Sequence, residues 1–277
     1  AAAPPNPGER HHPVRLFMGS GMPRGLWKRL SERFAPARVL EFYASTEGDA
    51  VIVNVSGNKA GCKGRPLPGS AEVRVAAYDP LDRGLILGDN GFAIECARND
   101  PGMLLARVRF DAIGMSEGIL RGVFEPGDAW LETGDIFVVD SDGDFWLVDH
   151  VPSIIRASSG AVFSGPIRDA LGDVPAVALA VAYGVARADG TEVPCAAVTL
   201  REGHDLDIHE VEAARADLGD AGIPSVLRIV ERIPLTTWYR PITGPLVAEG
   251  LPMPTSPPTA WYWDPRKGGY RKLSKAA

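Results

Sequence analysis

The chain has 277 residues, 45% of them hydrophobic, enough to bury a core in one large or two medium domains and too apolar for a disordered polypeptide. Twenty-nine basic residues against 35 acidic ones leave a net charge of −6 spread along the sequence, which argues against nucleic acid or an anionic membrane as the main partner. Cys62, Cys96 and Cys195 are odd in number and far apart, as reduced thiols are, and no apolar run nears the roughly 20 residues of a transmembrane segment, so a soluble cytoplasmic protein is expected, with peripheral membrane association as the second option.

Residues 1–12, rich in Pro and Ala, read as a flexible lead-in. Residues 14–19 read as a strand, and Leu26, Trp27, Leu30 and Phe34 recur at helical spacing within 24–34, ahead of a second strand at 38–43. This is a β-α-β unit with parallel strands. Short strands follow at 50–55, 71–78, 91–97, 129–132, 137–140 and 145–148, separated by Gly, Pro and Asp turns, so the middle is expected to be a small β-rich barrel. Past a boundary near 149–152, helices at 165–171 and 208–218 and strands at 176–185, 193–200 and 225–230 make a compact α+β module. From Pro241 onward Pro and Gly crowd the chain, and an irregular tail wrapping the surface is expected. The fold class is mixed α/β, of α+β type, with residues 13–149 and 150–277 as its two folded parts.

Several patterns have a plain reading. Asp140-Ser141-Asp142-Gly143-Asp144 imitates the first half of a calcium loop, but the twelfth position holds Val151 where a bidentate Glu is required, so the run reads as a hairpin turn. His204 and His209 lack a third soft ligand and read as an exposed helix start. Neither a GxSxG elbow nor a GxxxxGK[ST] loop is present, which removes support for serine-hydrolase and P-loop chemistry.

Gly19-Ser20-Gly21 and Tyr43-Ala44-Ser45-Thr46-Glu47-Gly48 are different. They place backbone without Cβ, an aromatic ring, a hydroxyl and a carboxylate at successive strand ends, where α/β folds bind ligands. An adenine needs an apolar wall and backbone hydrogen bonds; Tyr43 can supply the wall and Gly19 and Gly21 the close approach, while Glu47 can hold Mg²⁺ against phosphate oxygens. A core tyrosine beside a turn explains Tyr43 equally well, and both readings are open on these residues alone.

The runs 14–54 and 130–148, the latter opening on Trp130-Leu131-Glu132-Thr133-Gly134-Asp135, closely resemble the fatty-acid transport protein or very-long-chain acyl-CoA synthetase branch of the adenylate-forming superfamily. Nearly the whole chain is similar to the C-terminal half of that family, including Pro234-Leu235-Thr236-Thr237-Trp238-Tyr239-Arg240 and Trp261-Tyr262-Trp263-Asp264. The resemblance implies the C-terminal part of the large adenylate-forming domain at 13–149 and a small mobile domain at 150–277. It implies an AMP-forming fatty-acid–CoA ligase: a fatty acid carboxylate attacks the ATP α-phosphate, pyrophosphate leaves, and the thiol of coenzyme A captures the acyl-adenylate. By position, Tyr43 would flank adenine, Thr46 would contact phosphate or acyl carboxylate, Glu47 would ligate Mg²⁺ and Asp135 would bind the ribose hydroxyls.

Four departures from the family pattern accompany these matches. A Ser/Thr- and Gly-rich phosphate loop, upstream in the family, is not in the sequence, so an upstream N-terminal half in the same or another chain is the implied partner. Asp149-His150 stands where an Asp-Arg pair is expected, which changes a ribose contact. Pro152 falls at the hinge position, where its ring fixes φ and opposes rotation. Arg240 occupies the catalytic lysine position, with Thr237 in place of a glycine and Gly160-Ala161-Val162 in place of Gly-Glu-Asn. The expectation is a ligase portion inactive by itself, the alternative a catalytically degenerate binding or scaffolding domain of a larger protein.

Overall fold

The computed structural model describes residues 6–45, 49–108, 118–218, 222, 224–237, 239–255 and 259–274. These fall into two units, Ala1–Pro152 and Ser153–Ala277. The division falls at the end of the 149–152 stretch read from sequence as the boundary, after the last strand of the first unit, which keeps its pairing through His150.

The first unit opens with β1 (Leu16–Gly19), α1 (Arg24–Arg33) and β2 (Arg38–Ala44), with β1 and β2 parallel in the register Gly19↔Glu41. Helix α1 buries Trp27, and its C-cap Phe34 returns its amide to Leu30, which closes the helix before the turn into β2. In β2 the residues Val39, Glu41 and Tyr43 alternate onto the buried face. Two antiparallel strands, β3 (Val51–Asn54) and β4 (Arg65–Pro66), complete a four-stranded sheet in the order β1-β2-β3-β4.

Next come β5 (Val73–Ala76), the small ribbon β6 (Tyr78–Asp79) with β7 (Gly84–Leu85), β8 (Gly102–Arg107), β9 (Ile119–Arg121), β10 (Ala129–Val139) and β11 (Phe145–His150). An antiparallel sheet runs β11-β10-β8-β5, with β9 beside β10. Its centre, β8, was not read from sequence: Met103, Leu104, Leu105 and Ala106 are fully buried, so the run lacks the alternation of a strand with one wet face. The two segments read separately at 129–132 and 137–140 are one strand with a register shift between Glu132 and Ile136. The strand expected at 91–97 is absent as such. Its amides turn alternately to Val123, Ile86 and Val75, and only isolated bridges form. Tyr43 and Ile52 pack with Val75, Leu104, Phe137 and Phe145 into a core shared by both sheets.

The second unit holds β12 (Ile155–Ala157), β13 (Gly160–Val162), α2 (Ser164–Asp173), β14 (Val177–Ala186), β15 (Glu192–Leu200), α3 (Ile208–Arg215), β16 (Val226–Ile229), α4 (Gly244–Glu249), β17 (Ala260–Asp264) and β18 (Gly269–Lys272). Alternate residues of β14 and β15 enter two cores. Ala180, Ala182, Ala196 and Val198 meet Ile167 and Leu171 of α2 and Val211 of α3, while Val181, Tyr183, Cys195 and Ala197 meet Leu246 of α4. The segment after Pro241 departs from the expected irregular tail. It forms α4 and then a hairpin that extends the sheet by pairing β17 to β16, with Trp261 and Tyr270 buried among the helices' contacts. Two buried aromatics outweigh the local Pro and Gly content here.

A candidate nucleoside site at the end of two sheets

Three residues of the first unit, distant in sequence, converge. The Tyr43 hydroxyl donates to Asp135 Oδ2 at 2.6 Å, and His150 Nδ1 is hydrogen-bonded to Oδ1 of the same carboxylate. Tyr43 is carried by β2, and Asp135 and His150 are directly opposite one another on β10 and β11. Gly134, with φ +74°, sits within the irregular stretch of β10, and such irregularities re-aim the side chain that follows.

Burial differs across the cluster. Tyr43 is 9% exposed and its ring stands edge-on to Phe137 at 5.0 Å, so the ring belongs to the core while the hydroxyl reaches the carboxylate. Burial, then the nearby Asp135 charge and the hydrogen bond to it, hold the phenol well above its ordinary ionisation range. Tyr43 is therefore a permanent donor. The Asp135 side chain is 15% exposed and that of His150 45%.

Beside this cluster lies a feature that was not read from sequence. Glu41, completely buried two residues before Tyr43, accepts from the amides of Gly21 at 2.6 Å and Met22 at 3.0 Å and pairs with the ammonium of Lys63, which is itself 5% exposed. Gly21, at φ +83°, takes a backbone conformation that favours glycine, and the carboxylate holds that turn in place. Only one oxygen of Glu41 is used; Oε2 is buried without a hydrogen-bond partner. A carboxylate on the inward phase of an apolar strand is a signal of such a pair, although nothing local in sequence points to Lys63 as its partner. Gly19 lies in register with Glu41, so Gly19 and Gly21 belong to one turn at the end of β1. Thr46 and Glu47 lie outside the described residues.

Residues 167–237 match the AMP-binding enzyme C-terminal domain. Long-chain fatty acid transport protein 5 of Mus musculus is 29% identical over 90% of this chain and 38% of its own length, and the medium/long-chain-fatty-acid–CoA ligase FadD6 of Mycobacterium tuberculosis is 29% identical over 86% and 41%. The chain is thus similar, over nearly its whole length, to fatty acid transport proteins and fatty-acid–CoA ligases. The chain spans about two fifths of the length of those curated relatives. Among solved structures, the amide bond synthetase McbA from Marinactinospora thermotolerans superposes with a TM-score of 0.64 at 24% identity, covering 85% of this chain and 46% of its own. The anthranilate CoA ligase AuaEII in complex with anthranoyl-AMP gives 0.65 at 18%, covering 85% and 44%, so the fold is that of adenylate-forming enzymes.

The remaining residues singled out in the sequence stand as follows. Pro152 is in a single 3-10 turn, Val151–Ser153, and closes the first unit. In the second unit Arg240 is exposed, its amide held by Thr236 Oγ1 at 3.1 Å, next to Tyr239 at φ +59°. Asp140, Asp142 and Asp144 bring their carboxylates close enough to share a metal ion, but the residues present do not fit one: the Lys59 ammonium stands 2.7 Å from each of the three. The turn carries its own cation, supplied from 81 positions away in sequence. Against burial, the Lys59 ammonium, the Trp146 indole and the Asp144 amide hold the Asp140 carboxyl well below the usual carboxylate range. Among the described residues no helix is long and apolar enough to cross a membrane.

Proposed function

We propose that this chain supplies the nucleoside-binding end of an adenylate site in residues 13–149 and the mobile C-terminal domain in residues 150–277 of an AMP-forming fatty-acid–CoA ligase. The observation that carries the reading is the hydrogen bond between Tyr43 and Asp135, which joins two separated motifs at one point. Asp135, oriented by the buried phenol, accepts the ribose hydroxyls of ATP, AMP or an acyl-adenylate. Gly19 and Gly21, fixed through Glu41, present backbone without Cβ to the base. Thr46 serves the phosphate or acyl carboxylate, and Glu47 is the residue that would hold Mg²⁺, which neutralises phosphate charge when bound.

Coenzyme A is the acyl acceptor and a long-chain fatty acid the acyl donor in this reading, supported by the similarity to FadD6. Arg240 places a cation where the family's lysine bridges the substrate carboxylate and the α-phosphate, and Pro152 stiffens the hinge. Both slow the reaction, since a misfitted preorganised cation commonly costs about 10²–10³ in rate. Titration calorimetry of AMP and of a non-hydrolysable acyl-adenylate analogue tests the site. Both bind the wild-type chain and bind Asp135→Ala more weakly; wild-type protein that takes up neither is incompatible with a nucleotide site.

A second reading, favoured by the arginine at position 240, is a domain that binds an acyl-adenylate without making one. Placed behind the remaining length of a fatty-acid–CoA ligase, the chain would then bind the analogue yet release no pyrophosphate from fatty acid and ATP, even with Arg240→Lys and His150→Arg. Pyrophosphate release by the unmutated chain in that setting would exclude this reading.

A further inference from the structure

Asp135 has two hydrogen-bond partners of unequal permanence. Tyr43, on Oδ2, is locked in the core by Phe137 and cannot leave without opening the packing between two sheets. His150, on Oδ1, has its backbone pinned, with its amide donating to Asp149 Oδ1 at 2.9 Å and its strand paired to β10, but its side chain is 45% exposed. Rotation about the His150 side-chain bonds therefore releases Oδ1 without disturbing the fold. The Asp135 side chain is 15% exposed, and turning the imidazole away opens Oδ1 to an incoming hydroxyl.

We propose that His150 is a gate on Asp135, a positioning residue that competes with the vicinal diol of a ribonucleotide for one carboxylate oxygen and so sets the affinity for, and selectivity toward, ligands bearing that diol. This rests on the reading of Asp135 as the ribose acceptor. A nucleotide with both ribose hydroxyls gains two hydrogen bonds to a charged acceptor in exchange for one from the imidazole, whereas a nucleotide without them has nothing to offer the carboxylate in return. The gate is a tax on binding: apparent affinity falls by the fraction of molecules in which the imidazole is turned away.

The test is titration of AMP and of 2′,3′-dideoxy-AMP into the 277-residue chain and its variants His150→Ala and His150→Gln, each checked for native circular dichroism. With the gate closed in roughly nine molecules of ten, His150→Ala binds AMP about tenfold more tightly than wild type, while its affinity for the dideoxy analogue changes less than about twofold. His150→Gln, which restores a donor to Asp135, falls between the two for AMP. AMP binding that is equal or weaker in His150→Ala, an equal gain for both nucleotides, or a gain in His150→Gln as large as in His150→Ala would each overturn the gate while leaving the nucleotide site standing. AMP bound by neither wild type nor His150→Ala would overturn the nucleotide reading and the gate together. Should His150→Ala not fold, the ¹⁵N spectrum of the His150 imidazole in wild type decides: AMP moves the Nδ1 resonance and dideoxy-AMP does not, and identical responses to the two count against the gate.

Discussion

The Tyr43 hydroxyl and the Asp135 carboxylate, 92 positions apart, meet at 2.6 Å, and this one bond ties the end of the parallel β-α-β unit to the antiparallel sheet. Hydrogen bonds to a charged acceptor contribute about 1.5–3 kcal/mol, so Tyr43→Phe and Asp135→Asn each lower unfolding free energy by about that amount. In the double variant the losses fail to add, and a denaturant double-mutant cycle reads the coupling as about 1–2 kcal/mol. Additive losses would mean that the bond is not formed in solution.

Raising the pH probes the same phenol. Its ionisation range lies higher in the folded protein than in the unfolded chain, so the stability tied to this group is complete below about pH 10 and drains away as the pH climbs toward the folded value. Tyr43→Phe loses this part of the alkaline destabilisation. Unfolding midpoints measured between pH 8 and 11 should fall less steeply in the variant than in wild type.

Glu41 and Lys63 are a buried pair whose separation is costly. Lys63→Met leaves the carboxylate uncompensated at zero exposure, for a loss of about 3–5 kcal/mol. Glu41→Leu together with Lys63→Met costs less than Lys63→Met alone, because no charge remains buried. Urea unfolding of the two proteins checks this, and a double variant less stable than the single one would contradict it.

Lys59 acts as the cation of the Asp140–Asp144 turn, and the carboxyls of Asp140 and Asp144 are held ionised to lower pH than in the unfolded chain. This cluster therefore stabilises the fold above about pH 4 and loses that contribution as acid titrates the folded carboxyls. In Lys59→Met three carboxylates face one another without an ammonium, so the variant melts earlier at pH 7 and gains ground on wild type as the pH is lowered from 6 to 4. Melting curves across that range, at low salt, report the narrowing gap.

All three cysteines are free, and burial pushes the thiols of Cys62 and Cys96 up to about 11 and that of Cys195 to about 12. Thiolate is scarce at pH 8. Native protein should therefore react slowly with an alkylating probe, and guanidinium should release all three sites; rapid labelling of the folded chain would contradict the burial of Cys62 and Cys195.

Much of this molecule follows from local pattern. The spacing of Leu26, Trp27, Leu30 and Phe34 places α1, the short apolar run within 38–43 places β2, and the motifs around Tyr43 and Asp135 carry the family resemblance that implies a nucleotide site. Other features have no local signature. β8 is buried on both faces, so its sequence shows no period; the tail's hairpin joins the sheet through aromatics whose partners are elsewhere in the chain; nothing next to Lys59 or Lys63 in sequence marks Asp140 or Glu41 as its partner. Periodicity is a property of neighbours along the chain and survives in the sequence. Pairing of charges, closure of a carboxylate by an imidazole and burial of a strand from both sides depend on distances between segments tens of residues apart, and these exist only once the sheets have formed.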